Sequence, residues 1–456
     1  MTWAALLIFW PVSDALRKWG GLNQPLYVLQ LLAPSLALFF LWRKRCLRLY
    51  TGIVFPCVVL AFTTGIGAIL SAFSGRDITY LGVWFLNLSA LIGPPLLLCA
   101  ASPSAPLDPW LIKRFLPRLI AVFSLLLLAN SVLMVLQSVL GGSHPLSVGA
   151  GGVLDAQIGT NTSIQIRAPG LFTFTVAAGL FAIHSSIFLL STFGKAPTSM
   201  GLLGLRYVAL LSMPVALIRS ISRHFLFSSF VVFAPFVPQL FRLAVALRLL
   251  AIFLLILLLS FLLPDLRALV LDGANNFSLR LVEAGGFFQG ILVRFYGSLF
   301  SDAAGSDASL LGSFLQWFDE DPLSACFGFG LGYSSPLYRY VQGYQDTSYG
   351  FVSVGGRDYL VGETALPSLL ADVGMVNLLF AVILFLNIVI LFFRRFRPFS
   401  FRGTARALMQ SSFFLILVPF NQVYFRPSSV FPAACAMLLP IVLCFLESSS
   451  KSSKAV

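Results

Sequence analysis

The sequence predicts an all-α, polytopic integral membrane protein with about twelve transmembrane helices. Three observations favour this fold class. Hydrophobic residues make up 58% of the chain and charged residues only 10%, whereas charged residues are about a quarter of an ordinary soluble domain. Long apolar runs recur along the whole chain and are separated by short charged loops. These runs lack the two-residue alternation that is typical of a membrane β-barrel.

The apolar runs give the positions of the predicted helices. The first run is expected to remain as a helix rather than be removed as a signal peptide, because it has no basic N-terminal region and no clear small-residue cleavage site. The predicted helices lie near residues 2–15, 25–42, 51–73, 81–101, 115–140, 169–193, 201–218, 222–238, 247–263, 363–393, 407–424 and 428–446.

Positive charge is concentrated in every second loop of this arrangement. The formal net charge is +13, yet with the N-terminus in the cytoplasm the cytoplasmic loops contain only two carboxylates, Asp108 and Glu447. Short loops that follow the positive-inside rule have this distribution. Both termini are therefore predicted to be cytoplasmic, and the basic excess does not indicate nucleic-acid binding. The basic residues of these loops are Arg43, Lys44, Arg45, Arg48, Lys113, Arg114, Arg118, Lys195, Arg206, Arg242, Arg248, Arg394, Arg395, Arg397, Arg402, Arg406, Lys451 and Lys454.

One long polar stretch divides the chain. Because each unpaired backbone group costs several kcal/mol in hydrocarbon, an extended loop outside the membrane is the natural location for chemistry. The chain divides into residues 1–263 with helices 1–9, residues 264–362 as a large extracytoplasmic loop with short amphipathic helices, residues 363–446 with helices 10–12, and residues 447–456 as a cytoplasmic tail.

Neither a disulfide framework nor a metal site is predicted. The six cysteines form no CxxC pair, and only Cys326 falls in the large outer loop. The three histidines are scattered along the chain, so no metal and no cofactor is expected. The glycine-rich stretch 327–336 lacks the strand–helix context of a nucleotide-binding loop. Its glycines are predicted to allow turns or a close backbone approach.

Arginines occur at several predicted outer helix ends. Arg167 directly precedes Ala168-Pro169-Gly170, where a helix is expected to begin. Its side chain either binds an anion there or reaches the membrane surface. Arg219 and Arg223 lie at a tight turn between two apolar runs. Two arginines so close to the apolar interior of the membrane favour an anionic binding partner over a role as simple anchors at the membrane surface. By contrast, the charges of the early outer stretches 14–25 and 74–80 are expected to be anchors at the membrane surface.

The large loop carries further candidate binding groups. Residues 277–295 predict an amphipathic helix in which Arg280 and Glu283 are three apart, a spacing also found in plain surface pairs. Aromatic side chains are unusually dense further along the loop. They either stack on sugar faces or form an interfacial aromatic belt. The rings are those of Tyr333, Tyr338, Tyr340, Tyr344, Tyr349, Phe351 and Tyr359.

Carboxylates cluster where the chain returns to the membrane. Arg357 and Asp358 precede Glu363, which stands at the start of an apolar run, and Asp372 lies deeper. A low dielectric disfavours the charged form of a carboxyl group and raises its basicity, which suits a general base. We expect either Glu363 or Asp358 to act as the base, and a structural role for Asp372.

These segments resemble the O-antigen ligase/O-antigen polymerase (Wzy-type) family of bacterial polysaccharide enzymes. The matching pieces span about residues 14–395 of the chain. They are DALRKW after the first helix, RAPGLFTF, the outer turn SISR, FSLR and PLSACFGFGLGY in the large loop, and ETALPSLLADVGMVNLLFAVILF into the next helix.

The resemblance implies a fold of the GT-C type and a metal-independent, inverting glycosyltransferase. Such enzymes act at the outer face of the bacterial inner membrane on glycans linked to undecaprenyl diphosphate. Arg223 of SISR and Arg280 of FSLR match arginines that hold the diphosphate, with Arg219 nearby, and Arg167 matches an arginine before Gly-Leu-Phe. Family ligases carry a His-Asn pair where this chain has Glu363 and Thr364. This difference favours a polymerase and makes Glu363 the candidate base.

The sequence therefore predicts a polysaccharide polymerase with Arg357 and Asp358 in supporting positions. The closest alternative is a ligase that transfers the glycan to a lipid A core or another acceptor. A lipid-linked glycan flippase is the alternative from another class, but no half-to-half similarity typical of transporters is found. The expected partners are the lipid-linked oligosaccharide, membrane lipid, and a chain-length regulator and flippase of the same pathway.

Overall fold

The structure is a bundle of helices with two short β-hairpins beside it. It is a computed structural model and describes residues 2–73, 79–100, 114–140, 144–147, 157–159, 164–166, 168–172, 175–193, 199–220, 223–240, 317–328, 331, 351–354, 357–360, 365–420 and 430–452.

Helices form most of the described residues, and each long one is a continuous apolar run. In chain order they are α1 (Thr2–Trp19), α2 (Asn23–Arg43), α3 (Thr51–Phe73), α4 (Thr79–Leu97), α5 (Leu116–Leu140), α6 (Thr175–Ser191), α7 (Met200–Ser220), α8 (Arg223–Phe233), α9 (Val237–Leu240), α10 (Pro322–Phe327), α11 (Ala365–Phe396), α12 (Gly403–Phe420) and α13 (Val430–Ser452). Short 3-10 helices at Ala234–Phe236 and Pro398–Ser400 precede α9 and α12.

Six of these helices are long and apolar enough to cross a membrane. The segments that qualify are Pro25–Arg43, Thr51–Leu70, Tyr80–Leu97, Leu116–Leu140, Asp372–Ser400 and Val430–Glu447. The mainly helical membrane fold predicted from the sequence is thus confirmed, while the number of twelve spans stays a prediction. The expected helix at 247–263 and most of the large loop lie outside the described residues.

Four short strands were not predicted from the sequence. β1 (Gln157–Gly159) pairs with β2 (Ile164–Ile166), and Ile158 faces Gln165. β3 (Phe351–Val354) pairs with β4 (Arg357–Leu360) through a tight connection, since Val354 faces Arg357. Both hairpins are antiparallel and lie in polar stretches that the hydropathy pattern left as loop.

Aromatic packing around α1 forms the centre of the core. Trp10 is almost fully buried, with its ring 5.1 Å from that of Phe172 and 6.0 Å from that of Phe181, both edge-on. Trp3 lies 5.1 Å from Phe188, and its indole Nε1 donates a hydrogen bond to the carbonyl of Cys435 on α13 at 3.0 Å. One face of the first helix is therefore packed against the other helices, whereas Val12, Leu16 and Trp19 on its other face are exposed.

One end of the bundle, which we call the basic end, is formed by the chain around Arg48, Cys99 and Arg395. The Arg48 amide donates to the Cys99 carbonyl at 2.9 Å. The Arg395 guanidinium donates to the carbonyls of Leu98 and Ala100. The exposed cations at this end are Arg43, Lys44, Arg45, Arg48, Arg114, Arg118, Arg394, Arg397, Arg402 and Arg406. The described basic loops thus meet at one end of the bundle, whereas Lys113, Lys195, Arg242, Arg248 and Lys454 lie outside the described residues.

Arg206 is an exception to that distribution. Arg206 was predicted to lie in a cytoplasmic loop, but it lies inside α7 and is only 1% exposed. Its guanidinium carbon stacks 3.2 Å from the ring centroid of Phe193, which follows α6. A guanidinium face packs well on an aromatic ring, so the charge is covered by the helix pair instead of facing water.

The core packing predicts a large difference between two tryptophans. Trp10→Ala removes a buried ring and leaves a cavity, so we expect the free energy of unfolding to fall by about 3–5 kcal/mol. Trp42, which is 68% exposed, is the matched control, and Trp42→Ala should change stability little. Thermal unfolding of both variants in the same detergent tests this, and equal effects would contradict the central role of α1.

Candidate functional site

The end of the bundle opposite the basic end contains a buried polar network on α1 and α2. Arg17 Nη1 lies 3.3 Å from Asp14 Oδ1 and donates to Gln30 Oε1 at 2.8 Å. Gln30 Nε2 donates to Asp14 Oδ1 at 2.8 Å and to Ser13 Oγ at 2.9 Å. Arg17 Nε donates to Asn23 Oδ1 at 3.1 Å. Buried charges are stable only when they are paired in this way.

The prediction that these charges are membrane-surface anchors was wrong. Asp14 is 3% exposed and Arg17 is also buried. The reason is that α1 continues to Trp19 instead of ending near residue 15. The longer helix keeps Asp14 and Arg17 three residues apart on one face, and that face meets α2.

Lys18 extends the network from α1 to a turn that follows β2. Its Nζ donates to the carbonyl of Gly170 at 3.3 Å. Burial lowers the pKa of the Lys18 ammonium to about 8, against a smaller opposing effect of Asp14. This reduction is the usual result of removing a lysine from water. We call this end of the molecule the Lys18 end.

The turn formed by residues 168–172, the Gly170 turn, is held by side chains of α5. Gln137 Oε1 accepts from the Gly170 amide at 2.8 Å, and Gln137 Nε2 donates to the Gly170 carbonyl at 3.0 Å. Asn130 Oδ1 accepts from the Leu171 amide at 3.0 Å. With Lys18, three side chains from two helices therefore bind the backbone of one short turn.

Gly170 is the residue that makes this arrangement possible. Its φ is +62°, a backbone conformation that glycine adopts without the steric penalty of a side chain. A Cβ at this position would lie 2.9 Å from Asn130 Cγ and 3.0 Å from Met134 Cγ. The predicted helix start at residue 169 was therefore wrong: Phe172 donates its amide to the Pro169 carbonyl at 3.1 Å and closes a turn, and α6 begins only at Thr175.

The Gly170 turn fixes the backbone that adjoins Arg167. Ala168 is fully buried, and consecutive Cα atoms are about 3.8 Å apart. β2 ends at Ile166 on the other side. Arg167 itself lies outside the described residues, so both of its expected roles stay predictions; its sequence neighbours Ile166 and Ala168 belong to β2 and to the Gly170 turn.

A second contact joins the large loop to the membrane helices. Asp321 Oδ1 accepts from the Ser324 amide at 3.1 Å and caps α10, whose first residue is Pro322. Proline suits this position because it fits the first turn of a helix. The end of α10 lies between α3 and α11, where Asn377 Nδ2 donates to the Phe327 carbonyl at 3.4 Å.

Two glycines with positive φ allow this contact. Gly328 has a φ of +74°, and a Cβ there would lie 2.6 Å from the carbonyl oxygen of Asp372. Gly374 has a φ of +70° and kinks α11 at the same point. The predicted close approach of the loop glycines is thus confirmed at Gly328. Asp372 is buried beside it, and its expected structural role stays a prediction.

Apart from Arg280, the candidate residues from the sequence belong to described elements or come within two residues of one in the sequence. Arg219 is in the last turn of α7, and Arg223 is the first residue of α8. Arg357 and Asp358 begin β4. For these four residues the structure describes the backbone path. Arg167, Arg280 and Glu363 lie outside the described residues, and Glu363 comes two residues before the start of α11.

Sequence reasoning missed Lys18, Asn130 and Gln137 as parts of this region. A usable signal existed for the last two. They are seven residues apart, about two helical turns, and so lie on one face of an otherwise apolar helix. Polar side chains within a membrane helix indicate a functional or packing role. Lys18 gave no such signal because its contact with Gly170 joins positions far apart in the chain.

Comparison with known proteins gives no family assignment, since no family model and no curated protein match this chain. Within the described part of the chain, no group of three histidine, cysteine, aspartate or glutamate side chains is placed to hold a metal ion.

The Gly170 turn predicts a strong effect of adding one methyl group. Gly170→Ala introduces strain at a positive φ and a clash with Asn130, so we expect stability to fall by at least about 1 kcal/mol. Gly201→Ala is the matched control because a Cβ there meets no atom within 4 Å in α7, and alanine favours a helix. A lower melting temperature for both variants, or for neither, would contradict this account of the turn.

The pKa of Lys18 predicts a pH dependence of stability. Between about pH 8 and the ordinary lysine pKa of 10.5, the unfolded chain binds more protons at this residue than the folded protein does. Stability should therefore rise with pH across this window, relative to Lys18→Met. Melting temperatures recorded from pH 7.5 to 10.5 measure the difference. Lys44→Met, which replaces an exposed lysine, should keep the wild-type slope.

Proposed function

We propose that this protein is a polysaccharide polymerase of the bacterial inner membrane. It transfers a glycan from undecaprenyl diphosphate to a sugar hydroxyl of an acceptor chain, at the outer face of the membrane and without a metal or cofactor. In this proposal the basic end faces the cytoplasm, both termini are cytoplasmic, and the Lys18 end faces outward.

The observation that carries the proposal is the direction of the helices. The part of α11 that follows its kink at Gly374 runs to the basic end near Arg395, so the kink lies toward the opposite end. α7 begins beside Phe193 after α6 and runs back toward Ser220. The Gly170 turn is bound by Lys18 at that same end. These directions support a placement of Arg167, Arg219, Arg223 and Glu363 on one side of the bundle.

The proposed reaction exchanges one bond at the anomeric carbon. The acceptor hydroxyl oxygen forms a bond to that carbon while the bond to the diphosphate oxygen breaks, and attack from the opposite face inverts the configuration. Glu363 takes the hydroxyl proton as general base. Undecaprenyl diphosphate leaves with a developing negative charge. Guanidinium groups stabilise such a charge through paired hydrogen bonds, and this role is assigned to Arg223, Arg280 and Arg167, with Arg219 nearby.

The β3–β4 hairpin is the proposed support for the base. β4 begins with Arg357 and Asp358 and ends at Leu360, three residues before Glu363. A hairpin limits the freedom of the chain that leads to the acid, and Asp358 is the second candidate for the base. The contact of α10 with α11 holds a second part of the large loop against the bundle.

A ligase is the nearest alternative, and a lipid-linked glycan flippase is the alternative from another class. The polymerase is preferred over the ligase because Glu363-Thr364 replaces the His-Asn pair of family ligases. In the cell we expect the enzyme to work with a flippase that delivers its substrate and with a regulator of chain length.

Three separate substitutions test the proposed chemistry. Glu363→Gln removes the base, and proton transfer typically contributes about 10²–10⁴-fold to a rate. Arg223→Ala and Arg280→Ala remove stabilisation of the leaving diphosphate. We expect each variant to lose long glycan chains and to accumulate single lipid-linked repeats at the outer leaflet, as measured by gel electrophoresis of the glycan and by lipid analysis.

Arg402→Ala, an exposed cation of the basic end, is the matched control and should leave chain length unchanged. If all three variants made glycan chains of wild-type length at normal protein levels, the proposed mechanism would be contradicted. Repeats trapped at the cytoplasmic leaflet would instead indicate a flippase. Long free chains that fail to reach their acceptor would indicate a ligase.

A further inference from the structure

Two helix ends at the basic end hold arginine in an unusual backbone conformation. Arg45 has a φ of +53° and Arg397 a φ of +42°, and they are the two non-glycine residues with positive φ among those that the structure describes. Arg45 follows α2 and Arg397 follows α11. Glycine is strongly favoured at this position after a helix, because a side chain there is strained.

The turn after α2 does not need the arginine side chain in order to close. The Cys46 amide donates to the Leu41 carbonyl at 2.9 Å, and the Arg45 amide donates to the Trp42 carbonyl at 2.8 Å. This is the hydrogen-bond pattern of a Schellman motif, which a glycine forms equally well. A strained residue that the fold does not require indicates a function for its side chain.

Four cations surround this turn within six residues of sequence. Arg43, Lys44, Arg45 and Arg48 are all exposed. None of them forms an ion pair with another residue of the described part of the chain. The turn therefore presents a concentrated positive charge at the point where the candidate span Pro25–Arg43 ends.

An apolar groove adjoins these cations. It has a volume of about 270 Å³ and is lined by Leu38, Phe39, Trp42, Leu47, Leu49 and Leu96. Trp42 is 68% exposed and Leu49 is 72% exposed. Tryptophan is typical of the boundary between hydrocarbon and headgroups. The groove continues an apolar surface of α2 that includes the exposed Leu36 and Phe40, as expected of a helix that faces lipid.

We propose that this groove and the four cations form a binding site for an anionic phospholipid. The groove takes an acyl chain, and Arg43, Lys44, Arg45 and Arg48 bind the headgroup phosphate. Clusters of basic residues directly after a membrane helix attract anionic lipids. A protein partner is disfavoured because the groove is part of the membrane-facing surface of α2. The site lies at the end opposite the proposed catalytic region and does not depend on the proposed reaction.

Quenching of Trp42 fluorescence by brominated lipid tests this site directly. The full chain is placed in phosphatidylcholine nanodiscs that contain increasing fractions of brominated phosphatidylglycerol, or of brominated phosphatidylcholine. The signal of Trp42 is obtained as the difference between the protein and its Trp42→Phe variant. We expect phosphatidylglycerol to quench Trp42 at a much lower fraction than phosphatidylcholine does, because only the former carries net negative charge.

Arg45→Gly separates binding from folding. It should relieve strain, so that the melting temperature in pure phosphatidylcholine is unchanged or higher, while the phosphatidylglycerol fraction for half-maximal quenching rises about fivefold. Arg45→Lys keeps a positive charge and should retain most of the lipid preference. Arg118→Ala, an exposed cation on α5, is the control and should behave as the wild type.

Three outcomes would overturn the proposal. The first is equal quenching of wild-type Trp42 by both lipids. The second is an Arg45→Gly variant with unchanged preference for phosphatidylglycerol, or an equal loss of preference in Arg118→Ala. The third is Trp42 shielded from both lipids in protein isolated from membranes, with a second protein bound over the groove.

Discussion

The arrangement of the Lys18 end depends on one requirement, that polar groups buried in a membrane protein find partners inside it. Asp14, Arg17 and Gln30 satisfy one another between α1 and α2. Lys18 and Gln137 satisfy the backbone of the Gly170 turn. These hydrogen bonds offset the free-energy cost of burying polar groups. Because they also join separate segments of the chain, they set the positions of α1, α2, α5 and the Gly170 turn.

The two ends of the bundle use charge in different ways. At the Lys18 end, charged groups are buried and bonded, and they hold backbone in place. At the basic end, cations such as Lys44 and Arg402 are exposed, and Arg395 is partly buried, where it binds the carbonyls of Leu98 and Ala100. The hydrogen-bonded groups of the Lys18 end hold the backbone in one place, which suits the positioning of a reacting group. The exposed cations of the basic end suit contact with a membrane surface.

Much of the fold could be predicted because each long helix coincides with an apolar run. α3 begins and ends where the hydropathy pattern placed it, at Thr51 and Phe73. The start of α6 was missed by several residues because Gly170 adopts a positive φ and residues 168–172 form a turn, which hydropathy does not reveal. For the candidate site, the sequence identified arginines and carboxylates as candidate functional groups from their residue type and their position at predicted helix ends. The buried network could not be predicted. Gln30 bonds Asp14 and Arg17 only because α1 packs against α2, and neither segment of sequence shows that the two helices are neighbours.

The hydrogen bond from Trp3 to the carbonyl of Cys435 links residues that are 432 positions apart. The ribosome makes α1 before α13, so α1 exists long before one of its neighbours does. Until α13 is made, Trp3 has no such acceptor, and the face of α1 that meets α13 is uncovered. Assembly of this part of the bundle must therefore follow the synthesis of α13, and a chain truncated before α13 would leave α1 without this neighbour.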